Sequence, residues 1–139
     1  MLRKILLAYD GSEPSDLAFR YALDLAQRFA APMEVLAVLR PPDFAGEVPE
    51  TAALVDSGRR YFDQRFAALR SSAGEAGAEL RFCVAVGQPA DQILAHARRS
   101  GADFIVMGHR GKSLVQRWLT GSTTKQVMGY AHCPVLIVR

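Results

Sequence analysis

The sequence predicts an α/β fold: a single-domain, five-stranded parallel open sheet of order 3-2-1-4-5 with helices on both faces. Three observations carry this reading. Short apolar runs alternate with amphipathic segments along the whole chain, in the order β-α-β-α-β-α-β-α-β. The apolar runs are nearly continuous, as strands buried on both faces are. The 139 residues suit one domain (1–139) whose core stands without a disulfide or a metal.

The first run, KILLAYD (4–10), is stopped by Asp-Gly and reads as strand one. From Pro14 to Ala31, Leu17, Ala18, Tyr21, Ala22, Leu25, Ala26 and Phe29 recur at helical spacing, with Arg20, Asp24 and Arg28 opposite. Ser12 is the expected N-cap, with Pro14 in the first turn. Strand two is MEVLAVL (33–39), and RPPDFAGEVPE after it is a Pro/Gly loop, the expected mobile segment. A helix follows from about Thr51 to Ala73, with Leu54, Val55, Tyr61, Phe62, Phe66 and Leu69 as its buried stripe.

Strand three is AELRFCVAV (78–86). QPADQILAHARRSG is a shorter helix with Ile93, Leu94 and Ala97 inward and Gly101 past its end. DFIVMG (103–108) is strand four, a helix runs from near Ser122 to Ala131, and PVLIV (134–138) is strand five. Right-handed crossovers leave few ways to lay such strands. In the order 3-2-1-4-5 the chain reverses direction between strands one and four, so a crevice opens beyond their carboxyl ends. AYDGS and MGHRG meet there.

The formal charge is +3, but the basic residues are scattered among acidic ones and form no stripe, so neither DNA nor RNA is an expected partner. Cys83 and Cys133 lack the spacing of a disulfide framework or a metal site and are expected as reduced thiols of a cytoplasmic protein. The amino terminus reads as a strand rather than a signal peptide, and no apolar window is long enough for a membrane span. PVLIV (134–138) is an apolar edge strand, which invites pairing with its own copy in a homodimer.

GHRGKS (108–113) ends like a phosphate-binding loop, yet Val106 stands where that motif needs its first glycine. The pattern present is G-x2-G-x9-G-S, made by Gly108, Gly111, Gly121 and Ser122. Glycines let backbone N–H groups approach an anion and form a nest for phosphate oxygens. Ser122 and Thr123 then open a helix whose N-terminus favours negative charge. The intervening KSLVQRWLT reads as a packed lobe that returns the chain to the site; Lys112 and Ser113 read as loop residues and Trp118 as a packing residue. His96 and His132 carry no identifiable partner.

These segments resemble the universal stress protein family over essentially the whole chain. The resemblance rests on that glycine motif, on ILLAYDGSEPSDLAFRYALDLA, GQPADQIL and ADFIVMGHRG, and on the ending AHCPVLIVR. It implies a Rossmann-like sheet, a homodimer, and binding of ATP (or ADP or AMP), with Mg2+. Carried over by position, Ala8 and Val38 would line the adenine pocket, Val38 through its backbone. Asp10 would sit near the ribose, the phosphates or the metal. Met107, Gly108 and Gly111 would hold ribose and phosphates, and Gly121, Ser122 and Thr123 the terminal phosphates, with His109 inside the signature at a variable position. The implied function is a nucleotide-dependent regulatory protein of the stress response. The alternative is a slow ATPase or autophosphorylating phosphotransferase, which lacks a defined base here.

Overall fold

The computed structural model describes residues 2–41, 48–74, 79–109 and 123–139. Its elements are β1 (Ile5–Ala8), α1 (Glu13–Phe29), β2 (Met33–Leu39), α2 (Val48–Ala73), β3 (Leu80–Val86), α3 (Pro89–Ser100), β4 (Phe104–Gly108), α4 (123–130) and β5 (Val135–Val138). The five strands form one sheet in the order β3-β2-β1-β4-β5. Every pairing is parallel, with Ala8 opposite Leu36 on one side and Met107 on the other.

The burial of β1 explains its composition. Ile5, Leu6 and Leu7 are all fully buried because successive side chains enter opposite faces of a sheet covered on both. Ile5 and Leu7 join Phe19, Val35, Phe62, Phe66 and Val106 under α1 and α2. Leu6 joins Leu36, Ile93, Ala97, Ile105 and Val127 under α3 and α4.

The helix ends follow local chemistry. Ser12 caps α1 by accepting the Ser15 N–H at 3.3 Å, and Pro14 occupies the first turn. Ala30 leaves the helix in the left-handed conformation. α3 is capped by Gln88, whose side-chain oxygen accepts the Asp91 N–H at 3.0 Å, and Gly101 closes it with a φ of 73°. Between β3 and α3 the chain has only Gly87 and Gln88. A Cβ on Gly87 would lie 2.7 Å from the Gln92 amide nitrogen, and its φ of +151° already disfavours a side chain.

Two predicted stripes need correction. On α1 the buried residues are Ser15, Ala18, Phe19, Ala22 and Ala26, whereas Tyr21 and Phe29 are more than half exposed. The inward face is thus turned about one residue from the predicted one, towards Phe19. On α2, Phe62, Phe66 and Leu69 are buried as expected, but Leu54 and Tyr61 are about half exposed. This helix also begins at Val48, ahead of the predicted Thr51.

Both unassigned histidines have partners. At the amino end of the sheet, the ring Nε2 of His96 donates to Glu34 Oε1, and Lys4 Nζ lies 3.8 Å from Glu34 Oε2. Glu34 faces the α3 side of β2, where a buried carboxylate needs such partners. His132 Nε2 donates to the Ala102 carbonyl at 3.1 Å.

Candidate functional site

A cleft of about 350 Å³ opens at the carboxyl ends of β1, β2 and β4, where an open α/β sheet reverses direction. Its apolar wall is built from Ala8, Leu36, Val38 and Met107 on the strands and Pro89 and Ile93 on α3. Leu36 and Val38 share one face of β2 because strand side chains alternate. Tyr9 and Phe62 border it, and Arg40, just past β2, brings an exposed guanidinium to the rim. The polar part holds Asp10, Ser15, Gly108, Thr123 and Thr124. Ser15 and Thr124 are buried there, and Thr123 and Thr124 lie at the start of the described part of α4.

The turn that carries Asp10 is held from within and from outside. Asp10 Oδ1 accepts the Ser12 N–H at 3.0 Å and the Ser12 hydroxyl at 2.5 Å, a local side-chain turn that fixes the carboxylate. From α2, Arg65 Nη2 donates to the Gly11 carbonyl at 2.8 Å and to Asp16 Oδ2 at 3.1 Å, and its Nε donates to the Tyr9 hydroxyl at 3.3 Å. Tyr9 in turn donates to Asp16 Oδ1 at 2.6 Å.

Burial first, then the bond to Asp16, push the Tyr9 phenol up to about 12. In the unfolded chain such a phenol ionises near pH ~10. Below that pH both states keep the proton and the contribution to stability is whole. As pH rises from about 10 to 12 the unfolded state loses the proton first, so stability falls through this window. Denaturant titrations at about pH 9 and 11.5 should show that fall, and Tyr9→Phe should reduce it. Equal falls in the two proteins would contradict the assignment.

Of the residues proposed from sequence, Ala8, Asp10, Val38, Met107, Gly108 and Thr123 all line the cleft. His109 is not among the lining residues; its N–H donates to the Val138 carbonyl at 2.7 Å, extending the β4–β5 ladder. Gly111, Gly121, Ser122, the 112–120 lobe and most of the 40–50 loop lie outside the described residues. Tyr9, Ser15, Leu36, Arg40, Phe62, Pro89, Ile93 and Thr124 were missed. A polar residue just past a central strand, as Arg40 is, is the signal that could have found one of them.

Gly108 is a glycine for a reason the motif does not state. It is still within β4, and a Cβ there would lie 2.5 Å from the Pro14 carbonyl carbon and 2.6 Å from the Ser15 nitrogen. The first turn of α1 therefore packs directly on the Gly108 backbone.

The model of the universal stress protein family matches residues 1–139. The chain belongs to the universal stress protein family. Among its curated relatives, universal stress protein YxiE of Bacillus subtilis is 32% identical over 148 aligned positions, covering 100% of both chains. Among solved structures, universal stress protein UspA from Lactobacillus plantarum superimposes with a TM-score of 0.90 at 25% identity, over 99% of this chain and 98% of that one. A universal stress protein in complex with cAMP matches with a TM-score of 0.68, also at 25% identity, over 99% of this chain and 97% of its own.

The two thiols of this universal stress protein sit partly within the fold. Cys83 and Cys133 are unbridged, and burial pushes both above the ordinary thiol range, which makes them poor nucleophiles near neutrality. Among the described residues no three His, Cys, Asp or Glu side chains cluster as a metal site, and no helix is long and apolar enough to cross a membrane.

Proposed function

We propose that this universal stress protein binds ATP, with Mg2+, in the cleft, and acts in the cytoplasm as a nucleotide-dependent regulator of the stress response. The observation that carries the reading is the convergence, in one cleft, of six of the seven described positions that the family resemblance singles out, all but His109. The volume falls within the usual range of small-molecule sites, roughly 300–1,000 Å³, and the apolar wall with few polar groups suits a base. The cAMP complex of a structural neighbour supports a nucleotide as the ligand class.

In this reading Ala8 and Val38 flank the adenine, Met107, Gly108 and Gly111 hold ribose and phosphates, and Gly121, Ser122 and Thr123 bind the terminal phosphates. Asp10 fits Mg2+, which is held by one or two carboxylates and completed by phosphate oxygens and water. Among the described lining residues Asp10 is the sole carboxylate and none is a histidine. The cleft therefore suits retention of the nucleotide better than rapid hydrolysis. Occupancy regulates by differing in affinity between two shapes or partner states of the protein.

Mg-ATP at ~100 times its dissociation constant should stabilise the chain by about 2.7 kcal/mol. Thermal or chemical denaturation with and without the ligand measures this, and Gly121→Val should remove the response. An unchanged wild-type curve at millimolar Mg-ATP would refute the reading. The homodimer belongs to the same proposal. β5 forms one edge of the sheet, and Met128 and Tyr130 on α4 are more than half exposed nearby in the chain. Light scattering at micromolar concentration should give twice the chain mass; a monomer would refute the pairing.

A further inference from the structure

We propose that Arg65 is a positioning residue of the cleft, holding from α2 the turn that presents Asp10 and so setting how strongly the site uses a divalent cation. The proposal rests on the nucleotide reading above and concerns how this chain's own residues hold that carboxylate.

The guanidinium bonds both chain neighbours of Asp10, the Tyr9 hydroxyl before it and the Gly11 carbonyl after it, and also the Asp16 carboxylate on α1. A planar group that only donates is matched here to three acceptors. A lysine ammonium has no equivalent fork. The Ser12 bonds fix the carboxylate relative to its turn; the Arg65 bonds fix the turn relative to the cleft.

The neighbours of Arg65 on α2 point to the same role. Phe62 lines the cleft. Tyr61 packs so closely on the turn that a Cβ on Gly11 would lie 2.5 Å from its hydroxyl oxygen, and Gly11 has a φ of +83°. Residues 61, 62 and 65 thus form an outer wall for the segment 9–16.

Stability alone does not account for the arrangement. The Arg65–Asp16 pair is 37% and 36% exposed, and a pair that open to water contributes little. Arg65→Met, which keeps the apolar stem, should therefore fold while releasing the turn.

The test compares wild type, Arg65→Met, Arg65→Lys and Asp10→Asn, each as the full chain. Hydrogen exchange without nucleotide reads the turn directly: the Ser12 amide should exchange faster in Arg65→Met. ATP affinity is then measured in Mg2+ and in EDTA. The ratio of the two should fall about 10-fold in Arg65→Met, the low end of what an outer partner of a metal ligand contributes. It should approach unity in Asp10→Asn, while affinity in EDTA stays at the wild-type level in Arg65→Met.

Arg65→Lys should recover part of the ratio. A general structural role would instead weaken binding equally in Mg2+ and EDTA, and that result overturns the proposal, as does wild-type exchange at Ser12. Should Arg65→Met fail to fold, Arg65→Lys against wild type decides by the same two readouts. Failure of the nucleotide reading shows separately, as wild type that binds ATP in neither condition, and it overturns the cation role together with that reading.

Discussion

Gly108→Ala is expected to destabilise the fold by about 1–3 kcal/mol and to abolish stabilisation by Mg-ATP. The new methyl would meet backbone, 2.5 Å from the Pro14 carbonyl carbon and 2.6 Å from the Pro14 oxygen, so no flexible side chain can move aside. Relief requires the first turn of α1 to draw away from β4. That turn is tethered by the Ser12 cap and by the Asp16 N–H donating to the Ser12 carbonyl at 2.9 Å. Any shift therefore carries Ser12 with it, and Ser12 holds the Asp10 carboxylate. One methyl disturbs the packing and the cleft together. Gly129→Ala is the control: it is helical, and a Cβ there meets nothing within 4 Å. It should stabilise by roughly 0.5–1 kcal/mol. Wild-type denaturation and a wild-type ligand response in Gly108→Ala would overturn the packing argument.

The second large effect is Phe19→Ala, expected to lower stability by about 3–5 kcal/mol, the range for emptying a buried aromatic site. Phe19 is 2% exposed and sits among the residues that α1 packs on the central strands. Phe29→Ala, on the same helix but 55% exposed, should stay within about 0.5 kcal/mol of wild type. Denaturant midpoints at constant slope separate the two. The reverse ranking would restore the stripe predicted from sequence.

That contrast marks where sequence reasoning succeeds and stops. Strands such as Ile5–Ala8 and Phe104–Gly108 were legible because burial on both faces demands an apolar run that little else produces. Crossover handedness left few strand orders, and the order chosen among them, which the sheet has, located the cleft. Periodicity on α1, however, fixes a helix and not its rotation. Tyr21 and Phe29 fit the 3.6 spacing as well as Phe19 does, and only the docked sheet chooses between them. The cleft shows the same division. Ala8, Asp10, Val38, Met107, Gly108 and Thr123 were found by position from the family resemblance, and each lines the cleft. Phe62 and Arg65 were not, because what makes them matter is the approach of α2 to a turn more than fifty residues earlier. Glu34 left a faint trace, a carboxylate inside an apolar strand, but its partners His96 and Lys4 are distant in sequence.

The connections that follow β3 and β2 differ in a way that bears on redesign. Gly87 and Gln88 alone join β3 to α3, and the φ of +151° at Gly87 disfavours any other residue there. Adding or deleting a residue there would rotate Pro89 and Ile93 out of register, so one jaw is set by the length of the chain. Residues 40–47 join β2 to α2, and lengthening a loop of that size adds little closure entropy. Engineering for a bulkier ligand therefore begins at that connection, whose length can change while the sheet stays as it is.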